Sequence, residues 1–224
     1  MLPITGIPSF YPELKSIIFM GHNITSPADT MRFTGVVLAG GENRRFGGQI
    51  KARLEVGGKP IIERITGVLA PLFSDMLIVT NTPGNFEYLG YRMVSDYFKK
   101  VGPLGGIHAA MKSTESDALF VVAGDMPWLS ADIISRMVDH YRNAGCEVLI
   151  PRCSDKDEPL HAIYSRALLE RLEDFLESTE RDAIREFLNL AKVQYLVVED
   201  CSSGESPFAN INRPEDLQKF SSGS

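Results

Sequence analysis

A chain of 224 residues with 44% apolar and 23% charged residues has the composition of an ordinary soluble globular protein, and its length suits a single domain. The net charge of −6 gives no generalised basic surface, which argues against nucleic-acid or anionic-membrane partners. No run of about 18 apolar residues and no signal-peptide pattern is present, so a cytoplasmic protein is expected, while three widely spaced cysteines, Cys146, Cys153 and Cys201, without a C-x-x-C pair predict reduced thiols rather than a disulfide framework or a structural zinc.

In chain order, residues 1–32 carry four prolines and no sustained period, so they read as a flexible arm appended to a single domain over 33–224. Short β-branched runs then predict strands at Gly35–Leu38, Met76–Thr80, Leu119–Ala123 and Val148–Ile150, with a further short strand at Tyr91–Ser95. Helical periodicity separates them at Ile61–Leu69, Leu104–Met111 and Ala131–Arg142. After Pro151 a polar loop leads into a strand in "LHAIYS", two amphipathic helices in "RALLERLEDFLES" and "RDAIREFLNL", a strand at Val193–Val198 and a closing helix from Pro214. Strands that are almost continuously apolar, joined by helices, specify an α/β fold with a doubly wound, mostly parallel sheet covered on both faces. Ligands of such sheets sit outside the carboxyl ends of the strands. Gly40–Gly41, Asn81, Asp96 and Asp125 all follow strand ends.

The stretch "GGENRRFGGQIK" fits neither a G-x-x-x-x-G-K-[ST] nor a G-x-G-x-x-G pattern. Between Gly41 and Lys59, however, five basic residues (Arg44, Arg45, Lys51, Arg53, Lys59) face two acidic ones (Glu42, Glu55) in an otherwise acidic chain. Backbone N–H groups exposed by paired glycines, together with Lys and Arg, suit a polyphosphate; the plain alternative is a strand-to-helix turn. Asp125 in "AGDMP" is a candidate Mg²⁺ ligand or a simple turn residue, because Mg²⁺ takes few protein ligands when a substrate supplies phosphates. "GPLGGI" brings a helix N-terminus toward the ligand or is an ordinary helix start. His161 in "EPLHAIY" reads either as a partly buried strand histidine or as a site residue. No H-E-x-x-H, close histidine pair or G-x-S-x-G elbow occurs, which weighs against a zinc enzyme or a serine hydrolase.

Taken as a set and in this order, "VVLAGGENRRFGGQIKARLEVGGKPII", "GPLGGI", "AGDMP", "EPLHAIY" and "NINRPEDL" resemble the molybdenum cofactor guanylyltransferases over about Phe33 to Phe220. The resemblance implies a Rossmann-like fold of the nucleotide-diphospho-sugar transferase type and an enzyme that transfers GMP from GTP to the phosphate of molybdenum-molybdopterin, releasing pyrophosphate, with Mg²⁺ as cofactor. By position it implies nucleotide contacts at Leu38, Ala39, Gly40, Gly41, Asn81 and Asp96, phosphate contacts at Arg45 and Lys51, a metal site at Asp125, and a cofactor-side group of His161, Asn210 and Asn212. Molybdoenzyme apoproteins or their chaperones would be further partners. Two positions depart from the family's pattern: Phe46 replaces a Met, and Ile50 replaces the Asp before the lysine. Either that carboxylate only orients the loop or this enzyme is altered. Other readings are a cytidylyltransferase or sugar-phosphate nucleotidyltransferase of the same fold, against which Leu38-Ala39-Gly40-Gly41 favours guanine, and a non-catalytic nucleotide-binding protein.

Overall fold

The computed structural model describes residues 30–40, 50–98, 101–178, 184–199, 206–212 and 216. The chain divides into two compact units, Met1–Thr30 and Met31–Ser224, the first of which lies outside the described residues except for Thr30. The second begins with residues already tied to its sheet. The Arg32 N–H donates to Asp117 Oδ2 at 2.8 Å, and its carbonyl accepts from the Asp117 N–H. Arg32 therefore belongs to the folded unit rather than to the arm.

Six strands share one direction: β1 (Phe33–Leu38), β4 (Asp75–Val79), β5 (Arg92–Val94) and β6 (Ala118–Ala123) lie side by side, and β7 (Val148–Cys153) pairs with β10 (Val193–Val197) at the other side of the sheet. With β9 (His161–Ser165) the order is β10-β7-β9-β6-β1-β4-β5, and the short β8 (Lys156–Asp157) pairs with β7. The β9 strand is antiparallel to both β6 and β7, because it returns directly from β7 through a tight loop with no crossover helix. A separate hairpin joins β2 (Glu55–Val56) to β3 (Lys59–Pro60) across Gly57 and Gly58. These two residues have φ of 58° and 71°, the left-handed pair that a two-residue hairpin turn demands.

The apolar strands are explained by burial on both faces. Val37, Ile78, Phe120 and Val122 point into one core with Ile61, Ile65 and Leu69 of α1 (Ile61–Leu69) and Ile134, Met137 and Tyr141 of α3 (Ala131–Ala144). Their neighbours Val36, Leu77, Leu119 and Val121 point into the other, with Leu104 and Ile107 of α2 (Pro103–Lys112) and Leu172 and Leu176 of α4 (Leu169–Ser178). Three layers result. Most predicted elements appear within a residue or two of their expected bounds, but the strand expected at Val148–Ile150 continues to Cys153, the polar loop after it contains β8, and α4 begins at Leu169 after a 3₁₀ turn at Arg166–Leu168. Of "RDAIREFLNL" the described part is α5 (Ile184–Leu188), and of the helix expected from Pro214 only Asp216 is described.

Two further expectations meet the structure differently. Cys146 is a free thiol, but Cys153 is disulfide-bonded, against the expectation of reduced thiols. Spacing along the chain could not anticipate that β10 runs beside β7, which carries the segment after Val197 alongside Cys153: the Val198 N–H donates to Arg152 O, and Val198 and Phe208 form a small cluster against Cys153. Among the described residues, no helix is long and apolar enough to cross a membrane.

Candidate active site

Two central strands, β1 and β6, end side by side, and the residues after them are locked together. The Gly124 N–H donates to Leu38 O at 2.9 Å, and the Ala39 N–H donates to Val79 O at 2.9 Å. Leu38 and Ala39 thus form part of the frame of the site. A Cβ on Gly124 would lie 2.9 Å from Leu38 O and 3.2 Å from Ala39 Cα, so only glycine permits this approach. By contrast, a Cβ on Gly40 would meet nothing within 4 Å. Replacing Gly124 with Ala should force the two strand ends apart and cost about 1–3 kcal/mol, the range for overpacking a close contact. Denaturant unfolding of Gly124→Ala measures it, and unchanged stability would show that the strand ends can shift freely.

This junction carries the charged centre. Lys51 opens a single 3₁₀ turn, Lys51–Arg53, and its Nζ donates to Asp125 Oδ2 at 3.1 Å and to Asn212 Oδ1 at 3.0 Å. The ion-paired side chains are 24% and 20% exposed, which leaves both reachable from solvent. Ile50, just before Lys51, is half-buried and packs against the core, so the apolar residue in place of the family's Asp has a packing role here. The segment bearing Asn212 is fixed by main-chain contacts: the Ile211 N–H donates to Asp125 O, and the Asn212 N–H donates to Asp216 Oδ2, both at 2.9 Å. Residues 74 and 161 positions away from Lys51 therefore converge on one ammonium group.

On the β4–β5 side, Asn81 and Asp96 hold one another. Asn81 Nδ2 donates to Asp96 Oδ2 at 3.1 Å, and the Asp96 N–H donates to Asn81 Oδ1 at 3.2 Å. Burial raises the Asp96 pKa, and the hydrogen bond from Asn81 partly counteracts this. The glycines of "GPLGGI" bring α2 close to this pair: a Cβ on Gly106 would stand 3.0 Å from Leu38 Cδ2 and 3.5 Å from Asp96 Oδ1. The clustering of those glycines thus reflects close packing of a helix against the strand ends.

The structure separates the expected site residues into three groups. Lys51, Asp125 and Asn212 come together, and Asn81 and Asp96 form a second pair nearby in the sheet order. Gly41 and Arg45 lie outside the described residues. His161, by contrast, has no exposed surface. It lies between Phe120 and Phe208, whose ring centroids are 5.1 Å and 4.9 Å away, and neither of its nitrogens has a partner among the described residues. Burial lowers its pKa to about 3, so the imidazole is neutral near pH 7 and cannot serve as a cation for phosphate. The strand-histidine reading fits this position. Asn210 Oδ1 is likewise buried without a partner among the described residues. Gly124, on which the junction depends, lies in "AGDMP", where the sequence points to a role for Asp125 alone.

The buried His161 has a measurable consequence. In the unfolded chain a histidine takes up its proton near pH 6.5, whereas the folded protein resists until about pH 3. Its contribution to stability is therefore complete above pH 6.5 and lost as pH falls toward 3, at up to about 1.4 kcal/mol per pH unit. Between pH 7 and pH 5 this amounts to about 2 kcal/mol. Denaturant unfolding of wild type and His161→Leu at the two pH values should show the variant losing less by that amount, and parallel losses would place His161 in contact with solvent or a polar partner.

The fit to a cation rests on the donor set. Among the described residues no group of three or more His, Cys, Asp or Glu side chains could enclose a metal. A lone carboxylate at a strand end suits Mg²⁺, which keeps several waters and draws further ligands from substrate phosphates.

The sequence comparisons agree on one group. The MobA-like NTP transferase domain matches residues 35–195. A probable molybdenum cofactor guanylyltransferase of Pelotomaculum thermopropionicum is 36% identical over 192 residues, covering 84% of this chain and 92% of that protein. The molybdenum cofactor guanylyltransferase of Desulfosudis oleivorans is 35% identical, covering 83% and 93%. The crystal structure of molybdopterin-guanine dinucleotide biosynthesis protein A from Archaeoglobus fulgidus superposes with a TM-score of 0.71 at 30% identity, covering 84% of this chain and 96% of that one.

Proposed function

Because the chain belongs to the MobA-like NTP transferase family, we infer that it transfers GMP from GTP to the phosphate of molybdenum-molybdopterin and releases pyrophosphate. The observation that carries this reading is the convergence of Lys51, Asp125 and Asn212 at the carboxyl ends of β1 and β6. Phosphates at such a strand-end site meet a flexible ammonium group and a carboxylate suited to a cation, flanked by the Asn81–Asp96 pair for the rest of the nucleotide.

The chemistry needs no more titrating groups than these. The attacking oxygen belongs to a phosphate monoester whose second pKa is about 6, so it is largely ionised at neutral pH without a general base. A neutral, enclosed His161 is consistent with that. The barrier lies in bringing two anions together and stabilising charge that develops on the α-phosphate and the departing pyrophosphate. Lys51 supplies positive charge directly. In the structure it neutralises Asp125; incoming phosphates offer it a stronger partner, and its move to them frees the carboxylate. Asn212 holds the ammonium group between the two positions. Mg²⁺ held by Asp125 would add charge neutralisation and orientation of the phosphates. Arg45 is assigned to the same phosphates and Gly40 and Gly41 to backbone contacts with the nucleotide, on the family pattern.

The reading is tested by pyrophosphate release from mixtures of Mg²⁺, molybdenum-molybdopterin and GTP, CTP or ATP. Release should require the acceptor and GTP together. Comparable release with CTP would favour the cytidylyltransferase alternative.

A further inference from the structure

A second cavity lies at the same end of the sheet as the charged centre but on its opposite flank from Asn81 and Asp96. Its volume is about 350 Å³, and its walls include Ser154, Lys156, Glu158, Ser206 and Phe208. Its position follows from the topology. The β7 strand runs in the direction of β6 with the antiparallel β9 between them, so the loop after β7 emerges at the same end of the sheet as the loop that carries Asp125, one strand away. The Ala123 N–H donates to Leu160 O, which ties the far end of that loop to the end of β6.

Glu158 lines the cavity. It is half-buried, and among the described residues no hydrogen bond reaches its carboxylate. Burial raises its pKa, with Lys156 partly opposing the shift. Phe208 also lines the cavity, and its ring meets His161 edge to face. From Phe208 the chain runs four residues to Asn212, whose side chain meets Lys51. Four residues span at most about 14 Å, so the cavity and the phosphate-binding ammonium group lie within reach of one small molecule.

We propose that this cavity seats the planar ring of the acceptor, with the Glu158 carboxylate accepting two hydrogen bonds from the amino group and adjacent ring N–H of a 2-amino-4-oxopyrimidine edge, against the Phe208 wall. The proposal rests on the guanylyl-transfer reading. Paired N–H donors are what an otherwise unbonded carboxylate takes best, and the pterin of the acceptor offers such a pair. The guanine of GTP carries the same edge. The sheet order distinguishes them: with the triphosphate at Lys51, the nucleotide extends toward Asn81 and Asp96 on the β4–β5 flank, leaving the β7–β9 flank for the molecule that attacks from the other side.

Free pterin, followed by its own fluorescence, is the probe. Full-length wild type should bind it, saturating GTP should not displace it, and Glu158→Gln should bind it about tenfold or more weakly, as expected for loss of charge-assisted hydrogen bonds. GTP affinity should be the same in both proteins, which also shows that the variant is folded. Displacement of pterin by GTP would assign the edge to guanine and overturn the proposal, as would equal pterin binding by the two proteins or none by wild type. A turnover assay separates this failure from failure of the reading beneath it. Wild type that makes the dinucleotide cofactor, with an unchanged KM for molybdopterin in Glu158→Gln, overturns only the cavity assignment, whereas wild type that makes none overturns guanylyl transfer itself.

Discussion

Replacing Asp125 with Asn should reduce turnover by on the order of a hundredfold or more and move the Mg²⁺ requirement to much higher concentrations. The substitution keeps the shape of the side chain and an oxygen for Lys51 but removes the negative charge that a hard cation needs. Little of the loss should come from unfolding. The Lys51–Asp125 pair is partly exposed, and ion pairs in such settings contribute about 0–1 kcal/mol. Initial rates over a Mg²⁺ series should show partial recovery at high metal. Full activity at ordinary Mg²⁺ would reduce Asp125 to a turn residue.

Lys51→Ala should fail in a different way. It removes a direct contact to the triphosphate, and one charge-assisted hydrogen bond of roughly 1.5–3 kcal/mol corresponds to about ten- to a hundredfold weaker GTP binding. Added Mg²⁺ cannot replace it, because the carboxylate that would hold the cation is still present. Removing the lysine also leaves Asn212 Oδ1 and Asp125 Oδ2 without the donor they share. A GTP titration of the variant reads the loss, and the same Mg²⁺ series run beside Asp125→Asn completes the comparison. Equal rescue of the two variants would mean that lysine and carboxylate act on one step through one ion rather than on separate partners.

Much of this architecture is legible in the residues alone, for a physical reason. Strands such as Val36–Leu38 and Leu119–Val122 are buried on both faces, and nothing but a covered parallel sheet accommodates such runs. Strand ends then indicate where a ligand sits, which is why Asp125, Asn81 and Asp96 could be singled out. The contact between Lys51 and Asp125 is another matter: 74 residues separate them, and only the adjacency of β1 and β6 brings them together. Gly124 sits in "AGDMP", but its role, the absence of a Cβ beside a carbonyl oxygen from another strand, depends on strand pairing that the motif does not show. His161 was ambiguous for a similar reason, since its burial is set by Phe208, 47 positions later, folding over it. Spacing along the chain says little about the cysteines, because parallel pairing of β7 with β10 brings distant segments together. The β2–β3 hairpin was readable in principle, because Gly57-Gly58 between short extended runs is a hairpin signal that the surrounding glycine-rich stretch obscured.

The central claim is that this site moves a nucleotidyl group, and the fate of a labelled phosphorus tests it most directly. GTP labelled at the α-phosphorus should be incubated with the protein, Mg²⁺ and molybdenum-molybdopterin, and the products separated. The account predicts that the label enters the acceptor as its guanine dinucleotide while the β- and γ-phosphates leave together as pyrophosphate. Label remaining in GTP, or appearing only in free GMP or GDP with no labelled acceptor, would contradict it.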